Sequence, residues 1–366
     1  MPSNAKRTKL IALPVQTIEI PDGVILKRGA TEVMITGAGA ADAVKMVLDA
    51  AASGGASVDE IRRLFDRSAI SWVDTLINNL RSRRLLVPKD GRASPVNGQE
   101  DHLDIFFWQF GETMERVIER LDKVRVVIIG VNAISKQLAV SLTACGHRNF
   151  LVFDHPRHRN QHFVAANGRT NRLEWPETLE RPQTWKDSQQ NDLGDCLIAT
   201  SDFGGQQALC EWNKLCLNRK VHFLPVLLKN MIGYVGPTVI PGETPCYECL
   251  VSRQQSHSIY PDAELRTDDV AYAGQMAVGF HPSMATMLGA ITAFEISRFY
   301  GVSMSEQTPG RLLEVNLLAG TMTGRTVLKV PRCTACSPLH KISQPNLTKI
   351  LFPKRANELK DTKKIL

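Results

Sequence analysis

Four cysteines constrain this chain more than any other feature. They form two pairs, Cys246-Tyr-Glu-Cys249 and Cys333-Thr-Ala-Cys336, separated by the 83 residues 250–332. A CxxC turn lets two thiolates converge on one ion, and two such turns complete the all-sulfur tetrahedron that zinc favours. With Cys246, Cys249, Cys333 and Cys336 all ligating, no position is left for water, so the expected zinc is structural. The gap is much longer than in a zinc finger, so the metal would staple an internal loop to a distant C-terminal segment. A redox dithiol is the rival for one CxxC, but that chemistry sits at a helix start and needs no second pair. Cys145, Cys196, Cys210 and Cys216 lie in apolar or helical surroundings, where a free thiol behaves as a small hydrophobe.

The chain has 366 residues, 43% hydrophobic and 22% charged, which suits two or three globular domains and excludes disordered and collagen-like classes. No run of 18 apolar residues occurs, and MPSNAKRTKLIALPV lacks an apolar core ending in a cleavage site, so a soluble cytoplasmic protein without membrane contact is expected. The net charge of +7 is concentrated in the tail, where Lys341, Lys349, Lys354, Arg355, Lys360, Lys363 and Lys364 face only Glu358 and Asp361. A nucleic-acid groove is therefore poorly supported.

Residues 1–92 read as a winged-helix domain of three strands plus three helices. LIALPVQTIEI, VILKRG and TEVMITG alternate as strands. AADAVKMVLDAAAS, SVDEIRRLF and SWVDTLINNLRSRRL follow as helices, the second opened by a Ser57/Glu60 capping box. A Pro/Gly-rich linker spans 93–101, and 102–340 forms the second domain ahead of the basic 341–366 tail. That domain opens with one amphipathic helix, His102 to Asp122. The β-branched run Val124 to Ile129 then reaches Gly130 as the first strand of a nucleotide-type βαβ unit. A second strand ends at Asp154, the spacing at which an acidic residue meets a ribose. Strands from Cys196 and His222 flank a helix from Gln206, so a mainly parallel, Rossmann-like sheet is expected. The Ala- and Met-rich helix within 267–301 suits core or a homodimer face.

A phosphate-cradling turn needs glycines so that backbone N–H groups can approach the anion. After Gly130 this chain carries Asn132, Ala133 and Ser135 instead. The stretch between Asp154 and Cys196 is polar, with little helical periodicity. The residues thus describe a nucleotide fold with a degenerate site.

VVIIGVNAIS, Asp154 followed by Arg159-Asn160-Gln161, Thr200-Ser201-Asp202, and PGETPCYECL paired with CTAC resemble the ThiF-like fold of ubiquitin-activating enzymes and their bacterial relatives. More narrowly, the chain resembles ThiF-like partner proteins of bacterial ribosomal-peptide (RiPP, bacteriocin-type) biosynthesis, which work with YcaO-type cyclodehydratases that make thiazole and oxazole rings. The resemblance implies that the N-terminal domain is a precursor-peptide recognition element. It would capture the leader peptide as an added strand between Thr31, Glu32, Val33, Met34, Ile35, Thr36 and the helix residues Val73, Leu76, Ile77, Leu80, with Arg81 and Arg84 meeting acidic leader residues. It also implies a nucleotide site at Gly130, Asn132, Ser135, Asp154, Asn160 and Asp202. Three readings follow. The first is a leader-binding cyclodehydratase partner with a vacant nucleotide site. The second is an ATP- and magnesium-dependent enzyme that adenylates the precursor itself. The third is a winged-helix DNA-binding regulator using Arg81, Arg83 and Arg84.

Overall fold

A computed structural model describes residues 8–52, 54–89, 102–160, 175–186, 188, 191–260, 279–302 and 310–338. The expected linker, Gln161, residues 267–278 and the basic tail lie outside them. The chain divides into two compact units, one of residues 1–120 with 300–304 and the other of 121–299 with 305–366.

In the first unit, β2 (Gln16–Ile20), β3 (Gly23–Arg28) and β4 (Thr31–Thr36) form an antiparallel sheet in that order. Separately, β1 (Leu10–Ala12) pairs with β5 (Leu86–Pro88). The N-terminal segment expected as one strand is therefore two, because Leu13 turns away to bond Leu85 before Gln16 joins the second sheet. Helices α1 (Ala40–Ala51), α2 (Val58–Arg62) and α3 (Ile70–Ser82) follow. The Ser57 hydroxyl accepts from the Glu60 N–H while Glu60 accepts from the Ser57 N–H, so the capping box starts α2 where the sequence places it.

The core of this unit joins Val24 and Leu26 of β3 with Val44 and Val47 of α1 and Val73, Leu76, Ile77 and Leu80 of α3. On α3, Asp74 is held by a two-pronged contact from Arg62, at 2.7 and 2.9 Å. The expected single helix over 102–122 is two, α4 (His102–Gln109) and α5 (Met114–Asp122). Gly111 separates them at φ +80°, a conformation that costs other residues energy, and a Cβ there would lie 2.6 Å from the Arg84 guanidinium. Trp108 of α4 completes the core. Its indole N–H donates to the Arg84 carbonyl, and the Arg28 guanidinium stacks 4.9 Å from its ring centre.

In the second unit one sheet of eight strands runs β13-β12-β11-β10-β9-β6-β7-β8. Its parallel part is β6 (Val126–Ile129), β7 (Phe150–Asp154), β8 (Gln183–Thr184), β9 (Cys196–Ser201) and β10 (His222–Lys229). Then β11 (Ile232–Val235), β12 (Arg311–Asn316) and β13 (Thr321–Thr326) extend it antiparallel. Helices α6 (Ala133–Ala144), α7 (Gln206–Arg219), α8 (Tyr247–His257) and α9 (Pro282–Ile296) accompany the sheet. Gly289 lets α9 approach α6 closely, since a Cβ would lie 2.6 Å from the Ile134 carbonyl oxygen. The Ala/Met-rich helix is therefore core on the face that buries Met284, Ala285, Leu288, Thr292 and Ile296. No helix of the described residues is long and apolar enough to cross a membrane.

Candidate functional site

The turn after β6 is tight. Gly130 has φ +120°, and a Cβ on it would stand 2.8 Å from the Thr200 carbonyl oxygen. Beyond it, the side chain of Asn132 caps α6. Its Oδ1 accepts from the N–H groups of Ile134 (3.1 Å) and Ser135 (3.0 Å), and its amide donates to Thr200 O, Thr200 Oγ1 and His158 O. The Ser135 hydroxyl returns the contact by accepting from the Asn132 N–H. The remaining N–H of this helix start, on Ala133, donates to Asp202 Oδ2 at 3.0 Å, and Asn160 donates to both Asp202 oxygens at 3.0 Å. Asn132, Ser135 and Asp202 are fully buried.

These backbone donors and the positive end of the helix dipole form the feature that grips phosphate in a nucleotide fold. Here a carboxylate and an amide of the chain itself already satisfy them. Asp154, at the end of β7, is equally committed, with Arg159 Nε and an Arg159 terminal nitrogen 2.8 and 2.7 Å from its two oxygens. Of the six residues singled out from the sequence, Asn132 and Ser135 bond each other, Asp202 bonds Asn160 and the Ala133 N–H, and Asp154 is taken up by Arg159. Sequence reasoning missed the capping role of Asn132 and the locking role of Arg159. The first had a signal, since Asn before a helix is among the strongest N-caps.

His158, whose carbonyl accepts from the Asn132 amide, is wholly buried. Its Nε2 accepts from the Trp212 indole at 2.9 Å, which leaves Nδ1–H to donate to the Thr200 carbonyl at 3.1 Å. Burial, with the neighbouring His155 adding to it, pulls its pKa down to about 3. Burial lowers His147 and His222 in the same direction. The unfolded chain therefore binds protons that the folded chain refuses between about pH 6.5 and 3, so stability is full above 6.5 and falls as pH drops through that window. Thermal melting from pH 7.5 to 4.5 should show a falling midpoint, and His158→Gln should flatten the slope. An identical slope in the variant would remove His158 as the cause.

The cysteines meet on the face of the sheet that packs against α7 and α8. Cys246 is the N-cap of α8 and Cys249 lies in its first turn. The first CxxC therefore does sit at a helix start, as a redox dithiol would, but the second pair closes on it. Sγ separations are 3.8 Å for Cys246–Cys249, 3.6 Å for Cys246–Cys333 and 3.5 Å for Cys249–Cys336, and all four sulfurs lie within 4.8 Å of one another. Sulfurs at about 2.3 Å from one tetrahedral ion stand about 3.8 Å apart, so the donor set fits zinc. The Cys246 thiol, hydrogen-bonded to Cys249, holds the Cys249 thiol down to about 4 and is itself pushed up, while burial pushes Cys336 up to about 12. A divalent cation bound by these sulfurs would displace their protons.

In the first unit, β4 is one of the two outer strands of its sheet, β2 being the other. The Gly37 N–H donates to the Asp22 carbonyl, and a two-residue loop joins Arg28 to Thr31. Both fix the alternation of the antiparallel ladder. Thr31, Val33 and Ile35 spend their N–H groups on β3. The N–H groups of Glu32, Met34 and Thr36 point to the open edge. Val73, Leu76, Ile77 and Leu80 are core, at most 3% exposed, so they do not offer pockets to a docked peptide as the sequence suggested. The stripe faces inward because it is the only apolar face α3 has. Arg81, Arg83 and Arg84 are exposed, and Arg84 donates to the Gln109 carbonyl.

No protein-family model matches the chain, and no curated protein sequence matches it. Solved structures do match its fold. The heterocyclase TruD aligns with a TM-score of 0.59 and 17% identity over 94% of this chain and 47% of its own. A heterocyclase in complex with substrate and cofactor gives 0.58 and 16%, over 92% of this chain and 40% of its own. E. coli MccB with MccA-N7isoASN gives 0.65 and 15%, over 90% of this chain and 99% of its own. The chain thus spans less than half the length of the two heterocyclases and nearly all of MccB. It has the mixed α/β fold that these solved structures share.

Proposed function

We propose that this chain binds the leader of a ribosomally made precursor peptide and presents it to a YcaO-type cyclodehydratase for azoline and azole formation, without nucleotide chemistry of its own. The observation that carries the reading is the internal carboxylate of Asp202 on the Ala133 N–H, which leaves the start of α6 no donor for a triphosphate. In this reading the N-terminal unit is the winged-helix recognition element, β4 supplies the edge, zinc at the four cysteines is structural, and the protein works in the cytoplasm. The adenylating alternative draws support from MccB, which shares the fold and was solved with ATP.

Calorimetric titration separates the two. ATP with magnesium should give no heat and no pyrophosphate, while a synthetic leader of the precursor should bind. Micromolar ATP affinity with pyrophosphate released on adding precursor would sink the partner reading in favour of the enzyme.

A further inference from the structure

One residue inside each CxxC also contacts its counterpart across the site. Thr334, between Cys333 and Cys336, donates its hydroxyl to Glu248 Oε2 at 2.8 Å, and Glu248 sits between Cys246 and Cys249. Lys214 of α7 reaches the other Glu248 oxygen at 3.0 Å. The neighbouring Asn213 accepts from the Tyr247 N–H at 3.0 Å, so α7 fixes the start of α8 at two adjacent positions. Further along α8, Arg253 donates to the carbonyls of Leu328 and Lys329, at 2.8 and 3.2 Å, and the Val330 N–H donates to Cys249 Sγ at 3.4 Å. Segment 328–334, which has no strand or helix of its own, is thereby tied to α8 by contacts that involve no metal.

We propose that Glu248 and Thr334 form a latch that holds the two CxxC turns in register independently of the ion, and so slows the ion's escape. A carboxylate beside four thiolates repels them, and no electrostatic gain at the metal explains its presence; Lys214 offsets the charge. What Glu248 supplies is an acceptor at a fixed place on a helix. Outer contacts of this kind commonly change metal affinity about 10- to 100-fold. The proposal rests on the zinc reading, and the experiment separates the two.

Zinc content of purified protein is measured first, then the rate of zinc transfer to a chromogenic chelator, then hydrogen exchange of the 328–336 amides in chelator-stripped protein. Thr334→Val and Glu248→Ala should each release zinc about tenfold faster, and should lose protection of that segment in the stripped form. Thr334→Ser and Glu248→Gln, which keep a donor and an acceptor, should behave as wild type. The double variant should be no worse than either single one, because both remove the same contact. Thr334 is exposed, so its replacement leaves the core intact. Wild-type protein without zinc would defeat the metal reading, and exchange in the stripped form would still decide the latch. Wild-type release and exchange rates in Thr334→Val would overturn the latch alone.

Discussion

Protein carrying Cys249→Ser is expected to purify without zinc and to melt at least about 10 °C below wild type in its second unit. Structural zinc sites contribute about 10–16 kcal/mol of binding free energy, which becomes folding free energy when the unfolded chain has no site. Domains of this size are stable by only about 5–15 kcal/mol, and each kcal/mol moves the midpoint by about 2–4 °C. Even if the three remaining sulfurs keep half of the affinity, the loss therefore exceeds 10 °C. Cys246, Cys249 and Cys333 are also core residues, packed with Tyr247, Leu250 and Val327, so a metal bound there would hold the same segment as the apolar cluster. Cys210→Ser is the matched control, since Cys210 lies on the same core but outside the tetrahedron. Mass spectrometry for zinc and calorimetric melting are the measurements. Full zinc content with an unchanged midpoint in Cys249→Ser would remove the metal assignment.

Features carried by local pattern were legible in the sequence. Apolar runs placed β6, β7, β9 and β10, a Ser/Glu spacing placed the start of α2, and cysteine spacing alone anticipated a cluster formed by residues 87 apart in number. Features set by partners distant in sequence were not. Asp202 bonds Ala133 from 69 positions away, so the loss of glycines reads only as a defect until the fold shows an internal anion at the helix start. The helix break at Gly111 and the antiparallel β11–β13 have the same origin. Gly324 interrupts β13 and its residues show no apolar alternation despite three threonines, so pairing with β12 decides the outcome. On α3 the apolar stripe was read correctly as a stripe, but periodicity says only that it is covered, not whether the cover is the chain's own core or a visiting peptide.

That distinction leads to the sharpest test of the proposed docking edge. Met34→Pro should leave the first unit folded and reduce leader-peptide affinity at least about fivefold, whereas Val33→Pro should destabilise the unit itself by about 1–3 kcal/mol through the lost ladder bond. The ladder alternation separates the two neighbours. Val33 is registered opposite Leu26 in a hydrogen-bonded pair, so a proline there removes a bond inside the sheet. Met34 faces Ile25 in a pair without those bonds, its N–H is turned outward, and its side chain is 63% exposed. Proline is tolerated on an edge strand with its missing donor toward solvent, so the fold has little to lose at this position. An added strand has much to lose: one main-chain bond, a desolvated carbonyl left without a donor, and a ring in its path, together about 1–3 kcal/mol. Circular dichroism and melting report the fold, and fluorescence anisotropy with a labelled synthetic leader reports binding. A folded Met34→Pro protein that binds the leader as tightly as wild type would move the docking surface away from β4. The same loss of affinity in both variants, with only Val33→Pro unfolded, would place the peptide on the outward N–H groups of Glu32, Met34 and Thr36.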